Sequence, residues 1–335
     1  METFYILGID ISKKTFQAAL TIEGTDFFEQ EVENNPKAIE AYIQGLKRKF
    51  SFSFSQLIVC MEHTGIYSYP LLDFLVRHNI KVCVEPALQI KQSQGMTRGK
   101  TDQVDARRIA QYAYKNRQEL KLWKPQRPVI QKLKALLTVR ERLVKIRVQI
   151  EVPIQESSEF IEGTIWKGMV KNCRGTLNAL EKDILKIESE IDNLIKEDQP
   201  LEQQVKWATS VPGVGKFTAL NVIIASGELE RISEVKKFAC YAGVAPFEHS
   251  SGSSIRGKTR VSKMANMALK KLLHLAAMSA IQCCEELKMF YQRKVAQGKN
   301  KMSVINAVRN KLISRIFACI KNKRMYQKEF QYALA

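Results

Sequence analysis

Two short apolar segments, each ending in an acid, constrain the fold of the first part of the chain more than any other feature. One runs from Phe4 to Asp10 and the other from Gln56 to Glu62. Apolar runs of this length, bounded by polar residues, are typical of buried strands. Residues 36–50 lie between them and carry apolar side chains at helical spacing after a proline. Because strand and helix patterns alternate, we expect an α/β domain here.

The same alternation continues along the chain. Residues 16–22 predict a strand that pairs with the first as a hairpin, residues 68–78 predict a helix, and residues 81–86 predict another strand. A basic, flexible loop is expected over 95–101. The threonine that ends this loop is placed to cap a helix beginning at Asp102.

Beyond Pro128 the apolar pattern becomes that of long helices. Two apolar seams with spacings of three and four are separated by Pro153 and a polar stretch, which predicts an antiparallel helical hairpin or an arm between subunits. Ordinary amphipathic helices of a bundle are the alternative. Two more helices are expected near 264–285 and 302–322. The seams comprise Leu136, Val139, Leu143, Ile146 and Ile150, then Leu177, Leu180, Ile184, Ile187, Ile191 and Leu194.

The positive charge of the chain is concentrated in one region. The 335 residues include 53 Lys and Arg against 34 Asp and Glu, a formal net charge of +19. Between Ser254 and Lys328 there are 18 basic and two acidic residues, or +16, whereas the other 35 basic and 32 acidic residues leave only +3. A field of this size indicates a polyanionic partner, foremost nucleic acid. A solvated basic surface is the alternative.

Composition also limits the compartment and the redox chemistry. No run approaches the roughly 18 consecutive apolar residues of a membrane span, and the first residues do not begin a signal peptide. We therefore expect a cytoplasmic protein with no membrane partner. The seven cysteines are odd in number and scattered without C-x-x-C spacing. They are expected to be reduced core residues rather than disulfide or zinc ligands.

Four acids stand where backbone elements begin or end. Asp10 and Glu62 end predicted strands, and Asp102 and Asp105 lie three apart on one helical face. Taken singly, each is an ordinary turn or cap residue. Taken together, carboxylates from separate elements are ligands that suit Mg²⁺, and two such ions can clamp the attacking and leaving oxygens in phosphoryl transfer. In a strongly basic chain they predict a metal-dependent phosphoryl-transfer site.

Two glycine-containing segments of the last third are candidates for nucleic-acid contact. The turn at 212–215 resembles a helix-hairpin-helix, whose exposed backbone N–H groups can face a phosphate, although ordinary turns share its pattern. A Ser/Gly loop with flanking cations spans 249–260. A serine there needs activation to act as a nucleophile, and the loop is otherwise an ordinary connector. The expected nucleic-acid contacts are Gly213, Gly215, Lys216, Arg256, Lys258, Arg260 and Lys263.

Seven motifs, taken in order, resemble those of the DEDD transposase/recombinase family of bacterial insertion elements. Members of this family are RNA-guided serine recombinases related to the pilin-gene invertase. The resemblance covers nearly the whole chain, and Ala265 departs from it by standing where members often have glycine. The motifs are Gly8–Lys13, Met61–Gly65, Lys100–Ala106, Val211–Gly215, Tyr241–Pro246, Ser251–Gly252 and Arg260–Lys263.

The resemblance implies three domains. Residues 1–125 would form a ribonuclease-H-like domain similar to Holliday-junction resolvases, in which the four acids above are the metal-binding and catalytic tetrad. Residues 126–200 would form a helical coiled-coil linker that mediates oligomerisation to a dimer or tetramer. Residues 201–335 would form a mostly helical transposase domain with a helix-hairpin-helix-like element and a catalytic serine.

That serine corresponds to Ser251, although Ser250, Ser253 and Ser254 stand in the same loop. The implied activity is transposition or site-specific recombination. It comprises Mg²⁺-dependent DNA cleavage and exchange through a phosphoserine intermediate, with a noncoding RNA that pairs with donor and target DNA. A structure-specific nuclease without a covalent step and a noncatalytic nucleic-acid-binding protein are the alternatives.

Overall fold

The structure is a computed structural model, and it divides the chain into two compact units. These are Met1–Pro125, the N-terminal unit, and Gln126–Ala335, the C-terminal unit. The residues predicted as a linker, 126–200, are thus grouped with those that follow them. The structure describes residues 4–62, 65–93, 101–251, 255–261 and 265–328, without the side chains of 248–251 and 255–260. Most of the predicted basic loop, together with Ser253, Ser254 and Lys263, lies outside the described residues.

A five-stranded mixed sheet forms the centre of the N-terminal unit, with strand order β3-β2-β1-β4-β5. The first three strands in sequence pair antiparallel, which confirms the predicted hairpin, while β1, β4 and β5 run parallel. Strand β3 has no counterpart in the sequence prediction because only one of its six residues is buried. The strands are β1 (Tyr5–Ile11), β2 (Thr15–Thr21), β3 (Phe28–Glu33), β4 (Leu57–Glu62) and β5 (Lys81–Glu85).

Helices cover both faces of this sheet. On one face Ile9 and Val59 share a core with residues of α1 and α2, and on the other Ile6 and Cys60 share a core with α4. The helices predicted over 36–50 and 68–78 and the helix start at Asp102 are confirmed. The helices are α1 (Pro36–Phe50), α2 (Tyr69–Arg77), α3 (Ala87–Gln92) and α4 (Asp102–Lys115), with 3-10 turns at Phe54–Gln56 and Gly65–Ser68.

The C-terminal unit begins with two long antiparallel helices, α5 (Pro128–Ser157) and α6 (Gly163–Glu197). Arg140 forms an ion pair with Glu188 at 2.6 Å, and Trp166 Nε1 donates a hydrogen bond to the carbonyl of Ile154. Pro153, which stands between the two predicted seams, lies inside α5 and not between the two helices. The chain reverses over residues 158–162 instead.

The buried ridge of α5 differs from the predicted seam. Ile130, Leu133 and Leu137 are buried in the core of the C-terminal unit. By contrast, Val139 and Ile146, two seam positions, are 44% and 43% exposed. On α6 the buried positions Ile184, Ile191 and Leu194 agree with the prediction.

The other helices of the C-terminal unit share one core with the ends of α5 and α6. The two predicted helices near 264–285 and 302–322 are present, with a further helix between them. The elements are α7 (Gln199–Thr209), α8 (Lys216–Ser226), α9 (Val235–Tyr241), β6 (Pro246–Ser251), β7 (Ile255–Val261), α10 (Met267–Cys283), α11 (Glu285–Ala296) and α12 (Lys301–Lys321).

The cysteines follow the prediction only in part. All seven are free thiols, and four are buried, but Cys283 is exposed and Cys173 and Cys240 are partly exposed. Cys283 ends α10, and the neighbouring Cys284 is the one whose side chain enters the core. None of the helices in the described part of the chain combines the length and apolar character needed to cross a membrane.

Candidate active site

Asp10 and Glu62 lie at the carboxyl ends of two neighbouring parallel strands. Ile9 of β1 pairs with Met61 of β4, so the two acids follow at the next position on each strand. Successive side chains of a strand alternate between the faces of the sheet. Because Ile9 and Met61 are buried on the α1 and α2 face, both acids belong to the face that α4 covers. Each acid is partly exposed.

Helix α4 lies directly on β1 because position 8 is glycine. A Cβ atom at Gly8 would stand 2.3 Å from the backbone nitrogen of Ala110 and 2.4 Å from the carbonyl oxygen of Ala106. No other residue permits this approach, since real Cβ atoms do not come so close to backbone. The contact brings the first turn of α4, with Asp102 and Asp105, to the part of the sheet where Asp10 lies.

The start of α4 is stabilised by its own sequence. Thr101 Oγ1 accepts a hydrogen bond from the backbone N–H of Val104 at 3.3 Å, which confirms the predicted cap. Asp102 and Asp105 both fall in the first turn, where the helix dipole favours negative charge. Asp102 lines a polar cavity of about 170 Å³ together with Asp10. The other residues of the cavity are Ile11, Ser12, Thr15, Phe16 and Gln17.

Ion pairs hold α4 and one of its acids in place. Arg108 donates to Asp105 at 2.9 Å, one turn along the same helix. Arg107 binds Glu29 of β3, and Gln103 donates to the same carboxylate at 2.9 Å. Hydrogen bonding from Arg107, opposed by burial, lowers the pKa of Glu29 below its ordinary value. Helix α4 is thus attached to the edge of the sheet as well as to its centre.

The donor set fits a hard divalent cation. The four acids offer only carboxylate oxygens, the ligands that Mg²⁺ takes in proteins. Asp10 and Asp102 already face one polar cavity. In the arrangement seen, no three His, Cys, Asp or Glu side chains of the described part are grouped to hold an ion. Asp105 is held by its ion pair with Arg108.

Glu85 is an acid of this region that the sequence reasoning missed. It pairs with Glu62 across β4 and β5, so Asp10, Glu62 and Glu85 occupy one row on three adjacent strands. Burial raises the pKa of Glu85 and the nearby Lys121 opposes that shift. The available signal was the acid that ends the run Lys81–Glu85, the same pattern that marked the other two.

Ser251 is the last residue of β6 and pairs with Ile255, the first residue of β7. The prediction of an irregular polar loop over 249–260 is therefore wrong, because β6 and β7 form an antiparallel ladder. Such a ladder uses backbone groups, so a polar sequence can form it without an apolar pattern. Arg256 pairs with Ser250 and Arg260 with Phe247, while Lys258 also lies on β7.

The predicted contacts at the 212–215 turn have different surroundings. Gly213 has a positive φ of 81°, and a Cβ there would lie 2.5 Å from the backbone nitrogen of Ala280, so its glycine is required by packing on α10. Gly215 is exposed with open space around it. Lys216 forms an ion pair with Asp192 of α6 at 2.7 Å. The turn joins α7 to α8, and a role in binding nucleic acid stays a prediction.

Relatives of the chain were identified by sequence and by structure. It is 28% identical to the pilin gene-inverting protein of Moraxella bovis over 98% of this chain and 99% of the relative. It is 23% identical to the transposase for insertion sequence element IS1111A of Coxiella burnetii over 98% of this chain and 92% of the relative. The T. thermophilus RuvC structure in complex with Holliday junction substrate is 14% identical, with 36% of this chain and 99% of that chain covered. Its TM-score of 0.28 is too low to support a conclusion.

Two family models match separate parts of the sequence. A model for DEDD transposases of the IS110 type, described as "Transposase", matches residues 7–156. A second model, described as "Transposase IS116/IS110/IS902 family", matches residues 206–292. The first contains all four acids of the candidate site, and the second contains Ser251. Because both models describe the same family and occur in order along the chain, this protein belongs to the IS110/IS116 family of transposases.

Proposed function

We propose that this transposase cleaves and exchanges DNA strands by a metal-dependent reaction in which Ser251 is the nucleophile. The observation that carries the proposal is that Asp10 and Glu62 end neighbouring parallel strands, and that Asp10 and Asp102 line one cavity. Acids beside a nucleic-acid substrate are unfavourable unless cations neutralise them. Carboxylates from separate elements at one end of the sheet, in a strongly basic chain, therefore support metal-assisted phosphoryl transfer.

The N-terminal unit is proposed to be ribonuclease-H-like. Its sheet supports this, because β1, β2 and β3 pair antiparallel and β4 and β5 run parallel to β1. Helix α4 covers the face of the sheet to which Asp10 and Glu62 belong. The four acids would hold Mg²⁺ there. When bound, the metal would supply positive charge that stabilises the phosphate oxygens in the transition state.

Ser251 would attack a phosphodiester phosphorus through its Oγ. The hydroxyl loses its proton, an O–P bond forms, and the bond from phosphorus to one sugar oxygen breaks, so that this oxygen takes up a proton. The product is a phosphoserine linkage and a free sugar hydroxyl. Attack by another sugar hydroxyl reverses the step on the new strand, which conserves the bond energy and needs no ATP.

Trapping on suicide DNA tests this mechanism. We expect a covalent adduct with the unchanged protein and Mg²⁺, and none with Ser251→Ala. Ser250→Ala is the matched control, because it removes the neighbouring hydroxyl and should leave the adduct. An adduct with Ser251→Ala would show that Ser251 is not the nucleophile. Cleavage without any adduct would favour a nuclease, and tight DNA binding without cleavage would favour a noncatalytic binder.

The proposed partners are donor DNA, target DNA and a guide RNA encoded by the element. The excess of 16 positive charges between Ser254 and Lys328 supports binding of polyanions. The RNA would supply sequence specificity by base pairing, and the protein would then need few side chains that read bases. Recombination of a matched donor and target pair should disappear after RNase treatment and return with the RNA from the element's flank. Activity without RNA would contradict guidance.

We also propose a dimer or tetramer formed through α5. Val139 and Ile146 lie seven residues apart, so they share one face of the helix, and both are exposed. Their apolar side chains are suited to contact with the same helix of a second copy.

A further inference from the structure

Arg309 of α12 is a buried cation without an acidic partner among the described residues. Only 6% of its surface is exposed. Its contacts are neutral: Nη2 lies 2.7 Å from His274 Nδ1 and 3.6 Å from the sulfur of Met302, and Nη1 donates to Asn306 Oδ1 at 3.3 Å. Its Nε atom has no hydrogen-bond partner. Buried charges are normally paired, so an anion bound beside this guanidinium would stabilise it.

Two more basic side chains gather beside it. Lys270 and His274 lie four residues apart on one face of α10, and each is partly exposed. Burial, together with the charge of Arg309, lowers the pKa of both side chains, and burial lowers the pKa of Arg309. The positive charge of Arg309 thus acts on both side chains of α10.

These three basic residues lie beside the turn that leads into β6, the strand that ends at Ser251. Lys270 packs beside Gly243, and Asn306 Nδ2 donates to the carbonyl of Val244 at 2.6 Å. The backbone N–H of Asn266 donates to the carbonyl of Tyr241 at 2.8 Å. This turn continues directly into β6, which ends at Ser251. A ligand bound by the cluster would therefore lie next to the base of the β6–β7 hairpin.

We propose that Lys270, His274 and Arg309 form an anion site that binds one phosphate of a nucleic-acid backbone. Arg309 supplies a planar set of N–H donors and Lys270 a mobile positive charge. Because Arg309 donates to Nδ1 of His274, the neutral imidazole carries its proton on Nε2 and can donate from there. Only the assignment of the phosphate to nucleic acid rests on the proposed function; the binding of an anion does not.

Titration of His274 by NMR tests the site on the whole protein with inorganic phosphate as the probe. The chain has four histidines, and His274→Gln assigns the resonance. We expect phosphate to raise the pKa of His274, because a bound anion offsets the charges of Lys270 and Arg309. Lys270→Gln should weaken phosphate binding about tenfold, whereas Lys271→Gln, at the next and exposed position, should not change it.

Duplex DNA provides the second arm. DNA should produce the same rise in the pKa of His274, and Lys270→Gln should reduce the salt dependence of DNA binding by about one phosphate contact. Arg309→Lys, which keeps the charge, should bind better than Arg309→Met if both fold. No response of His274 to phosphate, or equal losses in Lys270→Gln and Lys271→Gln, would disprove the site. A response to phosphate but not to DNA would show that the site does not bind a phosphate of the DNA backbone.

These outcomes are separable from the proposed recombination. Phosphate binding requires neither cleavage nor Ser251, so its failure leaves the adduct experiment unaffected. Conversely, a missing serine adduct would overturn the mechanism without changing the response of His274 to phosphate.

Discussion

Gly8 of β1 lies directly beneath Ala110 of α4, with room for a hydrogen but not for a methyl group. A Cβ at position 8 would lie 2.3 Å from the backbone nitrogen of Ala110. This contact decides where α4 rests on the sheet, and hence where Asp102 and Asp105 stand relative to Asp10.

Gly8→Ala should therefore displace α4 and disrupt the acid site. We expect a loss of about 3 kcal/mol or more in the free energy of unfolding, because backbone rather than a flexible side chain blocks the methyl group. Urea unfolding measures the change. Gly45→Ala is the matched control: nothing lies within 4 Å of its Cβ position. Since it lies inside α1, that change should add about 0.5–1 kcal/mol. A stable Gly8→Ala protein would contradict the packing.

Removal of one acid should abolish stabilisation by divalent metal. Ligands that bind only the folded state raise the unfolding temperature, so Mg²⁺ or Mn²⁺ should raise it for the unchanged protein. Asp10→Asn and Asp102→Asn should lose this rise. Asp73→Asn is the control, because that acid is exposed and paired with Arg77 on α2. An undiminished metal response in both Asp10→Asn and Asp102→Asn would show that these two acids bind no metal.

Arg127 joins two acids of the C-terminal unit, and its loss should be sensitive to pH. It donates to Asp198 at 2.7 Å and also binds Glu228. Burial opposes ionisation of Asp198, but hydrogen bonds from Arg127 and the backbone of Leu201 outweigh it and lower the pKa of Asp198 below 3.8. This contribution to stability is complete above pH 3.8 and disappears as the pH falls through the lowered value.

Arg127→Met should accordingly cost about 1–2 kcal/mol at pH 7, a value between those for exposed and buried ion pairs. The difference from the unchanged protein should shrink in unfolding experiments below pH 3.8. Lys206→Met, which removes an exposed pair with Glu202, should have little effect at either pH. A pH-independent loss for Arg127→Met would assign the effect to packing alone.

A charge on the exposed face of α5 should dissociate the proposed oligomer. Ile146→Glu places a carboxylate in the apolar contact, and its burial there is unfavourable. Light scattering after size exclusion should show a smaller species with unchanged helix content. Val148→Glu is the control, because that residue is equally exposed at 44% but points elsewhere around the helix. An oligomer that persists in Ile146→Glu would place the contact on another surface.

The ion pair between Lys216 and Asp192 should limit the contribution of Lys216 to DNA binding. Asp192→Asn releases the lysine, so we expect tighter binding of duplex DNA and a steeper salt dependence. Lys216→Gln should weaken binding little, since the charge is already neutralised at 2.7 Å. Filter binding across a salt series measures both. If Asp192→Asn leaves affinity and salt slope unchanged, Lys216 does not contact the DNA backbone.

Much of the N-terminal unit was predictable from its residues. The apolar runs of β1, β4 and β5 and the spacing in α1 reflect burial that every such strand or helix requires. Strand β3 was not predictable, because its FEQEVE sequence buries only Val32. This strand gains its order from pairing with β2. The β6–β7 hairpin escaped detection for the same reason, since its polar residues are held by backbone pairing.

The sequence by itself determined which groups are available: four acids near element ends, a serine in a basic region, and glycines at 8 and 213. Only the tertiary structure decided which of them meet. Glu85 joins the row of Asp10 and Glu62 through strand register, Asp105 and Lys216 are held by ion pairs, and Arg309 is buried without an acid. Local sequence encodes local conformation and burial, whereas register, helix approach and charge pairing depend on residues far apart in the chain.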